Sequence, residues 1–360
     1  MQPLADILAL VKPPITPALV IRRAALMANL AAMQAACDAH GVRLRAHGKM
    51  HKCSTLGQLQ VAGGAVGLCC QTVGEAETYV HAGIKDVLVT APVPPWGWAR
   101  LAALARQARV GVVMDSARQA HAASVAALAA GAVLDAYVDI DPGMGRAGIA
   151  ADQAGALAQV LAALPGLRYA GVQAYCGNHQ HLPVGERAAA HGAWTERLRA
   201  VVADLRSAGL APDQVTGGGT GTAAMDLAAG VYTEIQAGSY AVMDVEYGDL
   251  GDLPFAPALF LATSVVSAQH KTHVTCDAGH KALHPNGPGQ RVIVPAGSRY
   301  QPAGDEHGAI IPPGGSVEGD IVWLQPGHVD PTVALHDAFF VADEDGTLER
   351  WAIDARRISQ

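Results

Sequence analysis

The chain has 360 residues, of which 50% are apolar, 5% aromatic and 16% charged, so disordered and fibrous classes are excluded. With 25 basic and 32 acidic side chains the formal net charge is -7, and this balance offers no basic surface for nucleic acid. The 15 histidines are the unusual part of the composition, because histidine ligates metals and titrates near neutral pH.

The N-terminal stretch MQPLADILALVKPPITP does not have the pattern of a signal peptide. Asp6 interrupts its apolar run, no basic region precedes that run, and Pro13 and Pro14 follow. No later stretch reaches the roughly 18 apolar residues that a membrane span requires. The six cysteines form no CxxC pair, and we expect them to be buried, reduced thiols. The sequence thus predicts a cytoplasmic protein that binds neither membrane nor nucleic acid.

The first predicted elements are a strand in PALVIRR from Pro17 and a helix from Ala24 to about His40. From about residue 43 to 237 one unit then recurs: a short β-rich run, a turn and an Ala/Leu-rich amphipathic stretch. The eight β-rich runs begin at Val42, Val66, Asp86, Arg109, Leu134, Leu167, Asp213 and Val231. Eight strands alternating with helices favour a (β/α)8 barrel, and a doubly wound sheet is the alternative on spacing alone.

After Met243 the sequence changes to many Gly, Pro and Asp residues between short strand-like runs, which indicates a separate β domain. We therefore predict an α/β protein with a (β/α)8 TIM-type barrel over residues 22–243. Residues 1–21 and 244–360 are expected to form the second, β-rich domain, to which the segment from Pro17 adds a strand.

The first barrel strand continues into Arg43-Leu44-Arg45-Ala46-His47-Gly48-Lys49. Strand alternation places the arginines, His47 and Lys49 on one face, and that face points into a barrel whose outer side packs on helices. Lys49 would then lie nearest the C-terminal mouth, where barrel active sites lie. A lysine that is desolvated among other cations shifts toward the neutral amine that forms Schiff bases. The alternative is a solvated basic loop that binds nothing.

The glycine-rich segment Thr216–Thr222 follows a late barrel strand and precedes a helix. Bare backbone amides and hydroxyls in such a loop bind phosphate, and Gly238-Ser239-Tyr240 follows the next strand with similar chemistry. Two such loops after the last two strands match the usual phosphate site of a barrel, although a tight turn is the alternative. The segment lacks the third small residue of a dinucleotide fingerprint, since Thr222 stands there.

Three further segments carry polar side chains that are ambiguous when taken singly. Arg146 lies in the loop after the fifth strand, and Gln173 and Tyr175 share one face of the sixth. In the β domain, His328 and Asp330 would point the same way if the chain is extended there, giving an imidazole and a carboxylate for a divalent cation. An ordinary surface turn is the alternative.

Taken together, these motifs resemble the D-threonine aldolase family and its relatives, the metal-activated D-serine dehydratases and β-hydroxyaspartate aldolases. The matching segments span nearly the whole chain in order. They are Arg45–Lys52, Gln173–Tyr175 with Gln180 and His181, Thr216–Thr222, Glu234–Tyr240, Asp277–Leu283, Glu306–Gly308 and Gly327–Asp330. Ala46 and the segment Asp141–Met144 depart from the wording of many relatives.

The resemblance implies the fold of alanine racemase, a homodimer and two cofactors. Lys49 would hold pyridoxal 5'-phosphate (PLP), and Arg146 and Tyr175 would contact its ring or phenolic oxygen. The phosphate would be held by Gly218, Gly219, Thr220, Gly238, Ser239 and Tyr240. His328 and Asp330 would bind a divalent metal, for which Mn²⁺ is expected and Mg²⁺, Co²⁺ or Zn²⁺ are alternatives.

The implied reaction is a retro-aldol cleavage of D-threonine and related D-β-hydroxy-α-amino acids to glycine and an aldehyde. His181 is the candidate base, directly or through metal-bound water. The pair His328 and Asp330 favours the aldolase, because the dehydratase relatives carry His-x-Cys, whose thiolate suits Zn²⁺. Alternatives within the family are a dehydratase of D-serine or D-threo-3-hydroxyaspartate and a β-hydroxyaspartate aldolase.

Two other classes are disfavoured by the sequence. A non-catalytic PLP-binding protein of similar barrel fold is a single domain, whereas this chain has a long segment after Met243. A nicotinamide-dependent oxidoreductase would need the dinucleotide fingerprint that the glycine-rich segment lacks.

Overall fold

The computed structural model describes residues 4–356, which divide into two compact units. One, the β unit, consists of the described parts of Met1–Ala32, Met50–Thr55 and Ser239–Asp354. The other, the barrel unit, consists of the described parts of Met33–Lys49, Leu56–Gly238 and Ala355–Gln360. Residues 22–32, 50–55 and 239–243, which fall inside the expected barrel range, therefore group with the β unit.

The elements of residues 4–356 alternate between strand and helix in the first two thirds and are mostly strands thereafter. The strands are β1 Ala18–Arg22, β2 Arg43–His47, β3 Gly67–Cys70, β4 Asp86–Val89, β5 Arg109–Met114, β6 Leu134–Asp139, β7 Leu167–Ala174, β8 Gln214–Gly217, β9 Glu234–Ile235, β10 Leu259–Ser267, β11 Val274–Cys276, β12 Arg291–Val294, β13 Arg299–Pro302, β14 Gly308–Ile311, β15 Ile321–Gln325, β16 Ala338–Ala342 and β17 Leu348–Ala352. The helices are α1 Leu4–Leu10, α2 Arg23–His40, α3 Ser54–Ala62, α4 Val73–His81, α5 Gly97–Leu104, α6 Ala117–Ala130, α7 Ala154–Ala163, α8 Val184–Ser207, α9 Ala223–Ala228, α10 Val245–Gly248 and α11 Val329–Val333.

Strands β2 to β9 form a closed parallel barrel in chain order. The barrel closes where β2 pairs with β9, with Arg43 opposite Glu234 and Leu44 opposite Ile235. All eight β-rich runs of the sequence are strands of this barrel, so the (β/α)8 prediction is confirmed and the doubly wound sheet is wrong. Spacing could not distinguish the two, because both folds alternate strands with helices.

The local sequence explains where the barrel helices begin and end. Thr72 caps α4, because its hydroxyl accepts a hydrogen bond from the backbone N–H of Glu75. Ser116 caps α6 in the same way through the N–H of Gln119, and α6 ends at Gly131, whose φ of 62° is left-handed. These turns return the chain to the next strand of the barrel.

The β unit is built on a nine-stranded sheet with the main order β13-β14-β11-β10-β1-β16-β17, and β12 and β15 extend it from β10. Strand β1 pairs antiparallel with β10 and parallel with β16, which confirms the strand predicted from Pro17. Its inward side chains pack in a core with Phe260, Trp323 and Phe340. The shift from helical to strand-like composition after Met243 thus marks the start of this sheet's remaining strands.

The six cysteines are buried and free, as predicted. No helix within residues 4–356 is long and apolar enough to cross a membrane.

Candidate active site

Lys49 lies in a tight turn directly after β2, at the C-terminal end of the barrel strands. A single 3-10 turn, Gly48–Met50, carries the half-buried Lys49. The Tyr79 hydroxyl donates to the Gly48 carbonyl at 2.8 Å, and a side chain at position 48 would lie 2.5 Å from the Tyr79 oxygen. The backbone N–H of Lys49 also donates to Nδ1 of His47 at 3.3 Å. These contacts fix the turn, so the lysine leaves the strand at a defined point.

Polar side chains at neighbouring strand ends form a hydrogen-bonded network inside this end of the barrel. His47 Nε2 lies 3.0 Å from the Thr90 hydroxyl, and Gln173 Nε2 donates to the Thr90 carbonyl at 3.2 Å. Gln236 Nε2 donates to the side-chain oxygen of Gln173 at 3.1 Å and to the Thr216 hydroxyl at 3.0 Å. All five side chains are buried. The network is therefore a preorganised set of buried polar side chains that reaches Lys49 through His47.

Asp139 is a buried carboxyl group at the C-terminal end of the barrel strands. It ends β6 and accepts a hydrogen bond from Gln173 Nε2 at 2.9 Å. Burial raises the pKa of Asp139 to about 6, although the hydrogen bond from Gln173 acts in the opposite direction. The Asp139 carboxyl group therefore keeps its proton to a higher pH than an exposed aspartate does.

Arg146 and Tyr175 come together, as expected of residues at adjacent strand ends. The Arg146 guanidinium lies over the Tyr175 ring, 5.8 Å from its centroid. The loop that carries Arg146 is held by Asp141, whose Oδ1 accepts from the backbone N–H groups of Gly143 and Met144 at 2.9 and 2.7 Å. Burial acts to raise the pKa of Asp141, but these backbone donors outweigh it and the pKa is lowered. An ionised Asp141 thus orders the loop.

The glycine-rich loop between β8 and α9 wraps around buried acceptors. The amide of Gly219 donates to Asp226 Oδ2 at 3.2 Å, and that of Gly221 donates to Gln180 Oε1 at 2.9 Å. Gly218 has a φ of 69°, and a side chain there would collide with the Asp226 carboxylate. Glycine is therefore required for backbone conformation and for space. Thr220 and Thr222, both buried, add hydroxyl groups to this loop.

Asp226 is itself held by a histidine that the sequence did not single out. His191 Nε2 lies 2.8 Å from Asp226 Oδ1, and the Thr222 hydroxyl donates to Oδ2 at 2.6 Å. Burial raises the pKa of Asp226, while the contacts with His191, Thr222 and Gly219 oppose this shift. The Asp226 carboxyl group thus fixes the shape of the glycine-rich loop through its contacts with Gly219 and Thr222.

His181 is exposed, two residues after the 3-10 turn Gly177–His179 that follows β7. The neighbouring His179 is buried, and its Nδ1 has no hydrogen-bond partner among the described residues. Burial, with a smaller contribution from His191, lowers the pKa of His179. Of the two loop histidines, His181 is therefore the one accessible to solvent.

The second predicted phosphate loop follows β9. The carbonyl of Ala237, just before Gly238, accepts from the backbone N–H of His47 at 2.9 Å, which fixes the end of the barrel unit beside β2. In the β unit, Ser239 begins a 3-10 turn and is buried. Tyr240 is completely buried, with its ring 5.6 Å from that of Phe255.

A group of possible metal ligands lies in the β unit around His328. One ligand atom each of Asp244, Glu246 and His328 lie within 4.8 Å of one another. His328 Nε2 is also 4.0 Å from Asp330 Oδ1. An imidazole with several carboxylates suits Mn²⁺, Mg²⁺, Co²⁺ or Zn²⁺, so the donor set fits the implied metal. Asp244 and Glu246 were missed at the level of sequence because they lie more than 80 positions before His328.

The expected extended conformation of the segment His328–Asp330 is wrong. His328 has extended backbone angles, but α11 begins at Val329, so Asp330 lies in the first turn of a helix. The two side chains nevertheless approach each other, because His328 precedes the helix while Asp330 is within it. His307 is exposed in the loop before β14 and is not part of the group around His328.

The barrel unit offers the donor set that PLP requires. Lys49 supplies an amine, and Arg146 a cation beside an aromatic ring. Gly218 and Thr220 add a backbone amide and a hydroxyl in a loop whose Gly219 and Gly221 amides already donate to Asp226 and Gln180. These groups fit the cofactor that the motifs imply.

Two domain families match the chain in succession. Residues 21–245 match the alanine racemase N-terminal domain, and residues 258–342 match the putative serine dehydratase domain. The first match covers the barrel strands, and the second covers most strands of the β unit.

Similar proteins agree with these matches over nearly the whole chain. A D-threonine aldolase of Arthrobacter sp. is 42% identical over 96% of this chain and 93% of its own. A 3-hydroxy-D-aspartate aldolase of Paracoccus denitrificans (strain Pd 1222) is 39% identical over 95% of this chain and 92% of its own. The crystal structure of D-threonine aldolase from Filomicrobium marinum superposes with a TM-score of 0.93 at 38% identity, covering 96% of this chain and 97% of that one. The chain therefore belongs to the D-threonine aldolase family, within the PLP-dependent proteins of alanine racemase type.

Proposed function

We propose that this protein is a PLP- and divalent-metal-dependent aldolase that cleaves D-threonine and related D-β-hydroxy-α-amino acids to glycine and an aldehyde. The observation that carries the proposal is the donor set around His328, which contains nitrogen and carboxylate oxygen but no thiolate among the described residues. Such hard ligands suit a metal that polarises a hydroxyl group. We take Mn²⁺ as the ion.

In the barrel unit, Lys49 would hold PLP covalently, and the cofactor when bound supplies the electron sink for breaking the Cα–Cβ bond. The buried hydrogen bonds among His47, Thr90 and Gln173 hold the polar groups of these three residues in place at the strand ends, so these groups need not reorganise during the reaction. Arg146, whose guanidinium lies over the Tyr175 ring, would present a cation to the ring or the phenolic oxygen of the bound PLP.

The phosphate would be held by the two loops that follow β8 and β9. Gly218, Gly219 and Thr220 belong to the first, and Gly238, Ser239 and Tyr240 to the second. Support comes from the glycine-rich loop, whose shape is fixed by Asp226 and whose position 218 excludes a side chain. A fixed loop binds an anion without the entropic cost of ordering it.

His328 and Asp330 would hold the metal ion, and the ion when bound lowers the pKa of a coordinated hydroxyl group. His181 is our candidate for accepting the hydroxyl proton, since it is exposed and follows the strand that carries Gln173. His181→Ala should reduce turnover of D-threonine at least about 100-fold, the usual contribution of a general base, with the cofactor spectrum unchanged. Undiminished turnover would remove the assignment.

The proposal is tested through Lys49. The purified protein, reconstituted with PLP, should show a visible absorption band that disappears on borohydride treatment. Lys49→Ala should lose both this band and D-threonine cleavage, whereas the exposed Lys85→Ala should retain both. A Lys49→Ala protein that still cleaves D-threonine at the wild-type rate would refute the proposed role.

The related dehydratase reaction is the second candidate, because D-threo-3-hydroxyaspartate dehydratase from Delftia sp. HT23 superposes with a TM-score of 0.83 at 28% identity. Its identity of 28% is lower than the 42% of the Arthrobacter D-threonine aldolase, and position 330 holds aspartate instead of cysteine. Both observations favour the aldolase. We further propose that the protein is a homodimer in the cytoplasm. Light scattering coupled to gel filtration should give about twice the mass of one chain, and a monomer would contradict the homodimer.

A further inference from the structure

His328 presents its two ring nitrogens to different partners. Nδ1 lies 2.9 Å from Asn286 Nδ2 and 3.8 Å from Glu246 Oε2. Nε2, on the other side of the ring, lies 4.0 Å from Asp330 Oδ1. The ring is therefore placed between Glu246 with Asn286 on one side and Asp330 on the other.

The position of Glu246 beside this ring is built into the backbone. The N–H groups of Val245 and Glu246 donate to the carbonyls of Pro326 and Gly327 at 3.0 and 3.2 Å, so the two segments lie in fixed register. Asp244 joins them further, because its carboxylate accepts from the N–H groups of Tyr247 and Val329, both at 2.9 Å. The carboxylate of Glu246 is consequently held on the Nδ1 side of His328.

The loop that carries Asn286 also approaches the ring closely. A Cβ atom at Gly287 would lie 3.0 Å from the Cβ of His328 and 3.6 Å from Glu246 Oε2, and its φ of 85° is left-handed. Glycine at this position therefore allows the loop to place Asn286 against Nδ1. The Asn286 atom nearest Nδ1 is the amide nitrogen, which can only donate. The two ends of an amide group are assigned by their partners, and rotating the group by 180° gives an Asn286 oxygen that accepts from a ring N–H.

A neutral imidazole ligates a metal through one nitrogen and carries its proton on the other. The group that accepts this proton decides which nitrogen is left for the metal. Carboxylates can only accept, and they face both ring nitrogens, Glu246 on the Nδ1 side and Asp330 on the Nε2 side. The Asn286 amide at 2.9 Å, with its oxygen turned toward the ring, adds a second acceptor at Nδ1, so Glu246 and Asn286 together favour a proton on Nδ1. The lone pair of Nε2 then faces Asp330.

We propose that Glu246, assisted by Asn286, is a positioning residue that holds His328 as its Nδ1–H tautomer, so that Nε2 and Asp330 take the metal ion. The inference rests on the proposed metal dependence. It differs from direct ligation by Asp244 and Glu246, which would use Nδ1 instead. Asp244 is completely buried and already accepts two backbone hydrogen bonds, which suits it to a structural role.

The test measures Mn²⁺ affinity of the PLP-loaded protein, by the electron paramagnetic resonance signal of free Mn²⁺ or by calorimetry, without reference to turnover. Glu246→Leu, which removes the acceptor, should weaken binding by roughly 10- to 100-fold, the range seen for outer partners of metal-bound histidines. Glu246→Gln keeps an acceptor oxygen and should recover part of this loss. Asp330→Asn should weaken binding more than Glu246→Leu, and the exposed Glu318→Gln should leave it unchanged.

Two results would overturn the inference while leaving the metal site in place. One is a Glu246→Leu protein whose Mn²⁺ affinity is within about twofold of wild type. The other is equal, severe loss in Glu246→Leu and Glu246→Gln with no loss in Asp330→Asn, since that pattern identifies Glu246 as a direct ligand on the Nδ1 side. Wild-type protein that binds no Mn²⁺ would instead refute the proposed metal dependence, and the inference with it.

Discussion

The buried ion pair between Arg45 and Glu234 should make Arg45→Met strongly destabilising. Arg45 Nε donates to Glu234 Oε1 at 2.8 Å, and its two terminal nitrogens donate to Asp86 at 2.6 and 3.2 Å. The side chains of Arg45 and Glu234 are 1% and 0% exposed, and they lie on the strands that close the barrel. Removing the arginine leaves the buried Glu234 carboxylate compensated only weakly by the partly exposed Arg43, whose Nε is 4.0 Å from Oε2, so we expect a cost of about 3–5 kcal/mol.

Glu234→Gln, a conservative substitution of the residue paired with Arg45, should lower the free energy of unfolding less than Arg45→Met does. Glu234→Gln retains the oxygen that accepts from Arg45 and from the Thr216 hydroxyl, and Asp86 still neutralises Arg45. The new amide nitrogen would take the place of Oε2, a buried atom with no hydrogen-bond partner among the described residues and with Arg43 Nε 4.0 Å away. Its N–H groups would be buried without an acceptor, so we expect a cost of about 1–3 kcal/mol.

Urea unfolding followed by far-ultraviolet circular dichroism measures both costs, with Arg118→Met as a control on the exposed face of α6. The control should remain within about 0.5 kcal/mol of wild type. An Arg45→Met protein within about 1 kcal/mol of wild type, or one no less stable than Glu234→Gln, would refute the reasoning.

Two further predictions concern the strand ends. Because burial raises the folded-state pKa of Asp139 to about 6, the folded protein keeps a proton there between about pH 4 and 6 that the unfolded chain has lost. Its contribution to stability should therefore fall across this window as pH rises, by up to about 3 kcal/mol, and Asp139→Asn should flatten that part of the stability profile; an unchanged profile would contradict this. Gly218→Ala should weaken PLP binding more than Gly209→Ala, since both positions have left-handed φ angles but only Gly218 faces the Asp226 carboxylate. Spectrophotometric PLP titration of the two variants checks this, and equal affinities would show that the collision has no consequence.

The barrel was predictable because its signal is local and repeated. Each β-rich run from Val42 to Val231 contains or adjoins a strand of the closed sheet. The strand-like runs after Met243 begin at Leu259, Arg291, Asp320 and Thr347 and correspond to β10, β12, β15 and β17. Strands β11, β13, β14 and β16 of the β unit were not predicted, since short strands between glycines and prolines carry little periodicity. Their pairing depends on contacts between distant segments.

The site was only partly predictable for the same reason. Lys49 stands directly after β2 and Arg146 lies in the loop that follows β6, so their location at the mouth follows from barrel topology. Glu246, Asn286 and His191 act through partners far along the chain, and no spacing rule links them. The polar residues that end successive strands, such as Thr90, were the available signal for the buried network.

The central claim is that the chain breaks the Cα–Cβ bond of a D-β-hydroxy-α-amino acid. The most direct measurement is product identification after incubating D-threonine with the PLP- and Mn²⁺-loaded protein, with L-threonine as the control substrate. We predict acetaldehyde and glycine in equal amounts from D-threonine, with no ammonia released. Formation of 2-oxobutanoate and ammonia in place of acetaldehyde and glycine would contradict the account.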